Sequence, residues 1–132
     1  MILTLDASLA VKCVFEETES ADARALVERE TVIAPDFLLL EVHHLLWKRV
    51  RRKEMSPEAL SAAMSVLRAS FDGLVPSDQL IENAARLSLA LDHAIYDCLY
   101  LALAKREDVP LATADTRQAA VAMKAGLKVR LL

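Results

Sequence analysis

Glycine is nearly absent from this chain of 132 residues, which contains only Gly73 and Gly126. Walker and dinucleotide-binding loops need several glycines close together to cradle phosphates, so both are excluded. No uncharged run approaches the roughly 18 apolar residues of a membrane span. The N-terminus enters a strand-like run at once and meets a charge at Asp6, so no signal peptide is visible. The two cysteines, Cys13 and Cys98, lie far apart and match no metal-ligand spacing. They read as small reduced core residues of a cytoplasmic protein. An excess of basic charge is missing as well. With a formal net charge of −3, long-range electrostatics do not draw the chain to nucleic acid. Any phosphate-bearing substrate must be met by a local basic patch or a bound cation.

Apolar residues make up 55% of the sequence, and its length suffices for a single domain, 1–132, with a substantial core. Short β-like runs alternate with helical stretches from end to end. Strands are expected at Met1–Leu5, Val32–Ala34, Gly73–Pro76, Leu111–Thr113 and Leu127–Leu131. Helices are expected at Ser8–Phe15, Ser20–Arg29 and Phe37–Lys53, the last capped by Asp36. A further helix runs from Pro57, capped by Ser56, to about Ala69, and another covers Asp78–Leu91, capped by Ser77. The last two are Ala94–Arg106 and Asp115–Ala125, the latter ended by Gly126. Apolar strands separated by helices imply an α/β fold with a parallel sheet covered on both faces. In such sheets ligands bind beyond the carboxyl ends of the strands.

Four acids stand beside apolar sequence that should exclude a carboxylate. Asp6 closes the run Ile2–Leu5, and Asp115 follows Pro110–Ala114. Either one alone reads as an ordinary helix cap. Glu41 shares a helix face with Leu38 and Leu45, three residues before and four after. A carboxylate there needs a partner, and Lys48, two turns on, is one candidate. Asp97 is the only charged residue from Ala94 to Ala104, and burying it alone is costly. A bridge to His93 is the structural alternative. If the four converge at one sheet edge, repulsion and desolvation oppose folding unless a cation is bound. Oxygen-only ligation suits Mg²⁺, or alternatively Mn²⁺.

Asp6-Ala7-Ser8, Glu41 in Leu40-Glu41-Val42, the segment Tyr96–Ala102 and Thr113-Ala114-Asp115 together resemble the PIN-domain nucleases. The likeness is strongest to the VapC-type toxins of toxin–antitoxin pairs and covers essentially the whole chain. It implies a three-layer α/β/α domain with a five-stranded parallel sheet, acting as a Mg²⁺-dependent endoribonuclease. It also implies a homodimer held inactive by a cognate antitoxin protein. Carried over by position, Asp6, Glu41, Asp97 and Asp115 are the metal-binding, catalytic acids, with Ser8 and Thr113 as supporting hydroxyls. One position departs from the pattern: His44 stands where relatives often have Asn. It either points at the site or packs beside Trp47, and packing is favoured.

Two basic groups bear on an RNA substrate. Lys48, Arg49, Arg51, Arg52 and Lys53 crowd one helix end, where basic residues complement the helix dipole on a solvated face. That reading is preferred to phosphate binding because the patch should lie far from Glu41. Arg117, two residues past Asp115, is the better placed phosphate ligand. Glu41 and His44 also spell one Glu-x-x-His step, but a di-iron bundle needs two on four helices. Two other functions compete with the nuclease. One is a different Mg²⁺-dependent phosphohydrolase or a phosphoacceptor on a similar sheet; the other is a catalytically idle PIN-like binding module.

Overall fold

Leu3, Thr4 and Leu5 are all buried, which marks their strand as the centre of a sheet covered on both faces. The structure, a computed structural model, describes Met1 to Leu132. Along the chain run β1 (Ile2–Leu5), α1 (Ala7–Val14), α2 (Ser20–Arg29), β2 (Thr31–Pro35), α3 (Phe37–Arg51) and α4 (Pro57–Ser70). There follow β3 (Gly73–Val75), a 3-10 turn (Ser77–Gln79), α5 (Ile81–Leu91), α6 (Ile95–Glu107), β4 (Leu111–Thr113), α7 (Thr116–Lys124) and β5 (Val129–Leu131). All four strand pairings are parallel, in the order β3-β2-β1-β4-β5.

The chain steps outward from β1 to β2 and β3, then crosses back to β4 and β5. Because parallel crossovers are right-handed, this reversal puts α1–α4 on one face and α5–α7 on the other. Packing agrees: α1 touches α3 and α4, while α5 packs on α6. The result is a three-layer α/β/α fold with its topological switch point between β1 and β4. α6 is buried at every position from Cys98 to Ala104, as a helix pressed on the sheet and covered by α5 must be. Leu101 and Leu103 are wholly inaccessible, each contributing roughly 1.5–3 kcal/mol of burial. Thirteen residues of α6 span about 20 Å and lead directly into the start of β4. Its first turn, with Asp97, therefore lies at the carboxyl edge of the sheet. No single helix is long and apolar enough to cross a membrane.

The expected elements are present with ends shifted by a few residues, and two expected caps differ. Asp36 does not cap α3. Its Oδ1 instead accepts from the Ser77 amide at 3.0 Å and hydroxyl at 2.7 Å. Ser77 Oγ in turn accepts from the Phe37 amide, so the cap of α3 comes from across the sheet edge. Ser77 consequently opens only a short 3-10 turn, and α5 starts at Ile81. The last strand begins at Val129 rather than Leu127. Gly126 ends α7 with φ of +84°, and amides of Gly126 and Leu127 close on Met123 and Ala122 carbonyls. That geometry favours glycine.

Candidate active site

Register explains why two residues 107 apart meet. Leu5 pairs with Ala112, so one step on, Asp6 and Thr113 lie side by side at the switch point. Thr113 Oγ1 donates to Asp6 Oδ2 at 2.5 Å. Ser8 Oγ donates to Asp6 Oδ1 at 2.6 Å and accepts the Ala114 amide at 2.8 Å. The two hydroxyls stand 3.1 Å apart, but each has already given its one hydrogen to Asp6. Asp6 also caps α1 through the Ser8 and Leu9 amides. Asp115 caps α7 with Oδ1, accepting from Arg117 and Gln118 amides, and its other oxygen has no protein partner. Both carboxylates thus cap a helix at the switch point.

Glu41 and Asp97 come from helices on opposite faces and meet over the same edge. Glu41 does not pair with Lys48; its carboxylate accepts from the Tyr100 hydroxyl at 2.5 Å. Tyr100 is 1% exposed, and a buried phenol needs such an acceptor. Asp97 is not buried as expected: its side chain is 45% exposed, with His93 Nε2 3.6 Å away. His93 Nε2 lies 2.7 Å from Gln118 Oε1, and Gln118 Nε2 donates to the Asp97 carbonyl. This bracket ties α7 to the start of α6. A glutamine in an ordinary helical position showed no sequence-level sign of it.

Only His93, beside Asp97, stands as a basic partner within ion-pair distance of any of the four carboxylates. No Lys or Arg forms an ion pair with any of them. Burial pushes Asp6 up to about 6, with the Asp115 charge adding to it and the hydroxyl and amide hydrogen bonds opposing it. Glu41 is raised by desolvation, then by Asp97 and Asp6, against the pull of the Tyr100 bond. Asp97 is raised by desolvation and Asp115, with His93 and Arg117 working the other way. The acids therefore share one electrostatic field, but they do not close into a cage. No three of them, with or without histidine or cysteine, stand at coordinating geometry. The reason is local: Glu41 is held by Tyr100, Asp97 sits beside His93, and Asp6 and Asp115 serve their own helices. Hard oxygen donors left without a counter-charge fit a divalent cation in kind.

The basic residues correct one expectation. Lys48, Arg49 and Arg52 line a cavity of about 420 Å³ together with Ser8 and Asp115, so the end of α3 is not remote from the acids. α3 packs along α1, which carries its last turns past Ser8. Arg117 is exposed and bears on Asp97 by charge alone, with no ion pair. His44 stacks on Trp47, centroids 5.5 Å apart.

The chain matches the PIN domain family over residues 3–124. It is 40% identical over 98 residues to ribonuclease VapC1 of Mycobacterium tuberculosis, covering 74% of this chain and 72% of that protein. Among solved structures, Mycobacterium tuberculosis VapC20, a sarcin-ricin loop cleaving toxin, superposes with a TM-score of 0.71 at 19% identity, covering 89% of this chain and 93% of that one. VapBC2 of Rickettsia felis, solved on a fragment of promoter DNA, gives 0.72 at 14% identity, covering 99% and 98%. With the fold, the switch-point acids and these likenesses in agreement, the chain belongs to the PIN-domain family, among its VapC-type members.

Proposed function

We propose that this single 1–132 domain is a metal-dependent endoribonuclease, the toxin of a toxin–antitoxin pair. The observation that carries the reading is the set of Asp6, Glu41, Asp97 and Asp115 at the switch point, none paired with a Lys or Arg, where burial and neighbouring carboxylates raise the pKa of Asp6, Glu41 and Asp97. Bound there, Mg²⁺ or Mn²⁺ neutralises charge on a phosphoryl group and lowers the pKa of a water. Asp6 is fixed for this task by Ser8 and Thr113, and Glu41 by Tyr100. Gln118 holds the backbone of Asp97 while His93 flanks its carboxylate. Water enters opposite the leaving 3′ oxygen, giving 5′-phosphate and 3′-hydroxyl ends. The ribonuclease name of the VapC1 relative supports RNA as substrate. The structural likeness to the toxin VapC20 and to VapBC2 supports a protein antitoxin as partner. A homodimer in the cytoplasm completes the proposal.

Purified protein is expected to cut RNA with Mg²⁺ or Mn²⁺ present, and to stop with excess chelator or the Asp97→Asn substitution. Intact RNA after incubation with folded protein that demonstrably binds Mn²⁺ would refute the nuclease reading. Growth arrest on expression, relieved by a small protein encoded beside it, is the expected cellular counterpart.

A further inference from the structure

The acidic edge repels the phosphates of any strand laid across it, and the net charge of −3 gives no compensating attraction from afar. A nuclease with this centre needs cations close by. The cavity shared by Ser8, Asp115, Lys48 and Arg52 adjoins a second one, of about 340 Å³, lined by Trp47, Lys48, Arg51 and Arg52. Lys48 and Arg52 belong to both and so join the acids to the tryptophan.

These cations are not equivalent. Lys12 is bound to Glu17, Glu19 and the Thr18 carbonyl. Arg49 is bound to Glu54 at 2.7 Å and to Glu17, and it lies over the Phe15 ring. Both are committed to holding α1, α3 and the loops that follow them. Lys48 and Arg52 are exposed and have no acid partner; Lys48 lies in the last turn of α3, and Arg52 is the cap residue just past it, its amide bonded to the Lys48 carbonyl at 3.1 Å. Trp47 is 41% exposed, with the Arg51 guanidinium 5.0 Å from its ring and His44 stacked against it. The Arg51 guanidinium is exposed and can give way to a nucleobase against the indole, with His44 holding the ring from its stacked side, and stacking requires that base to be unpaired.

Resting on the ribonuclease reading, we infer that the last turns of α3 form a track for single-stranded RNA. Lys48 and Arg52 hold the backbone phosphate next to the one at the acids, and Trp47 stacks a base beyond it. The track makes unpaired loops or ends the preferred substrates and gives little choice among the four bases at Trp47.

Trp47 is the only tryptophan, so its fluorescence reports the site directly. Protein in chelator, which prevents cleavage, is titrated with a ten-nucleotide single-stranded RNA of mixed sequence and with a blunt RNA duplex. The single strand is expected to quench emission saturably and the duplex far less. Trp47→Leu, followed by oligonucleotide anisotropy, should weaken binding on the order of 10-fold. Lys48→Gln with Arg52→Gln should lower the slope of log affinity against log salt by about 1.4. Arg86→Gln, on the outer surface of α5, should change neither. Circular dichroism melting checks that each variant is folded. Equal quenching by duplex, or no quenching, overturns the track. So does a Trp47→Leu variant that only dissociates a dimer, for then a second copy covers the indole. Mn²⁺-dependent RNA cleavage by the parent protein is scored separately. Cleavage without quenching removes the track and keeps the ribonuclease; quenching without cleavage removes the ribonuclease.

Discussion

Replacing Asp6 by Asn should make the metal-free protein more stable at neutral pH, although Asp6 accepts four hydrogen bonds from Ser8, Leu9 and Thr113. The carboxyl is 5% exposed, and burial lifts it from an ordinary 3.8 to about 6. That gap corresponds to about 3 kcal/mol between its two protonation states. Its sign follows from which state holds the proton. Between roughly pH 4 and 6 the folded protein keeps the Asp6 proton while the unfolded chain releases it, so stability falls as pH rises. Below that window the penalty is absent, and above it the full penalty is present. Asn keeps an oxygen for the α1 cap and offers an amide to the Thr113 hydroxyl, which can turn to accept it, so the packing survives. Urea unfolding in chelator at several points from pH 4.5 to 7.5 measures the effect. Glu41 and Asp97 are also raised and slope the same way in both proteins, so the difference between the two curves reports Asp6 together with the lesser part of the Glu41 shift that the Asp6 charge causes. The variant should gain up to about 3 kcal/mol on the parent across the window. Adding Mn²⁺ at pH 7.5 should shrink that gain, because the cation relieves the parent. Parallel curves, or a parent that strengthens relative to the variant with rising pH, would refute the argument.

Three further outcomes are expected. Mn²⁺ at about 100 times its dissociation constant should stabilise the parent by about 2.7 kcal/mol at pH 7.5, and much less at pH 5, where protons compete for acids whose affinity for them is raised; equal thermal shifts at both pH values would contradict this. Tyr100→Phe leaves the half-buried Glu41 without its donor, at a cost of about 1–3 kcal/mol, and should move the acid limb of the RNA cleavage profile to higher pH, since that bond lowers the Glu41 pKa. Gln118→Ala breaks the bonds to His93 and to the Asp97 carbonyl; a loss of about 1–3 kcal/mol is expected in urea unfolding, with weaker Mn²⁺ binding by calorimetry. Unchanged Mn²⁺ affinity would show that the bracket serves folding alone.

The places where sequence reading and structure part company have a common character. Asp6, Ser8, Thr113 and Asp115 were legible because β1 and β4 end in polar residues after apolar runs, and a short strand-to-helix turn leaves them little freedom. Glu41 was legible as a carboxylate on an apolar face, but its partner was not: Lys48 lay near in sequence, whereas Tyr100 is 59 residues away. Asp97 read as buried because its neighbours are apolar, yet it occupies the first turn of α6, where the helix emerges from the core. The basic cluster reads as remote because it lies two to three turns along the helix from Glu41, yet α3 packs on α1 and sets Lys48 and Arg52 around a cavity with Ser8 and Asp115.

Period and punctuation within the chain determined the alternation of strands and helices, and the oddity of acids in apolar company pointed to a charged centre. Those are local properties, set by backbone geometry and by the cost of taking a carboxylate from water. The strand order β3-β2-β1-β4-β5 was decided only in three dimensions. It depends on which helices cover which face and on the handedness of each crossover. That order sets Asp6 beside Thr113 and brings Glu41 and Asp97 to one edge, and the packing of α3 on α1 carries Lys48 and Arg52 to their rim. No spacing along the chain encodes such neighbours, because the contacts that enforce them join residues from every part of the fold.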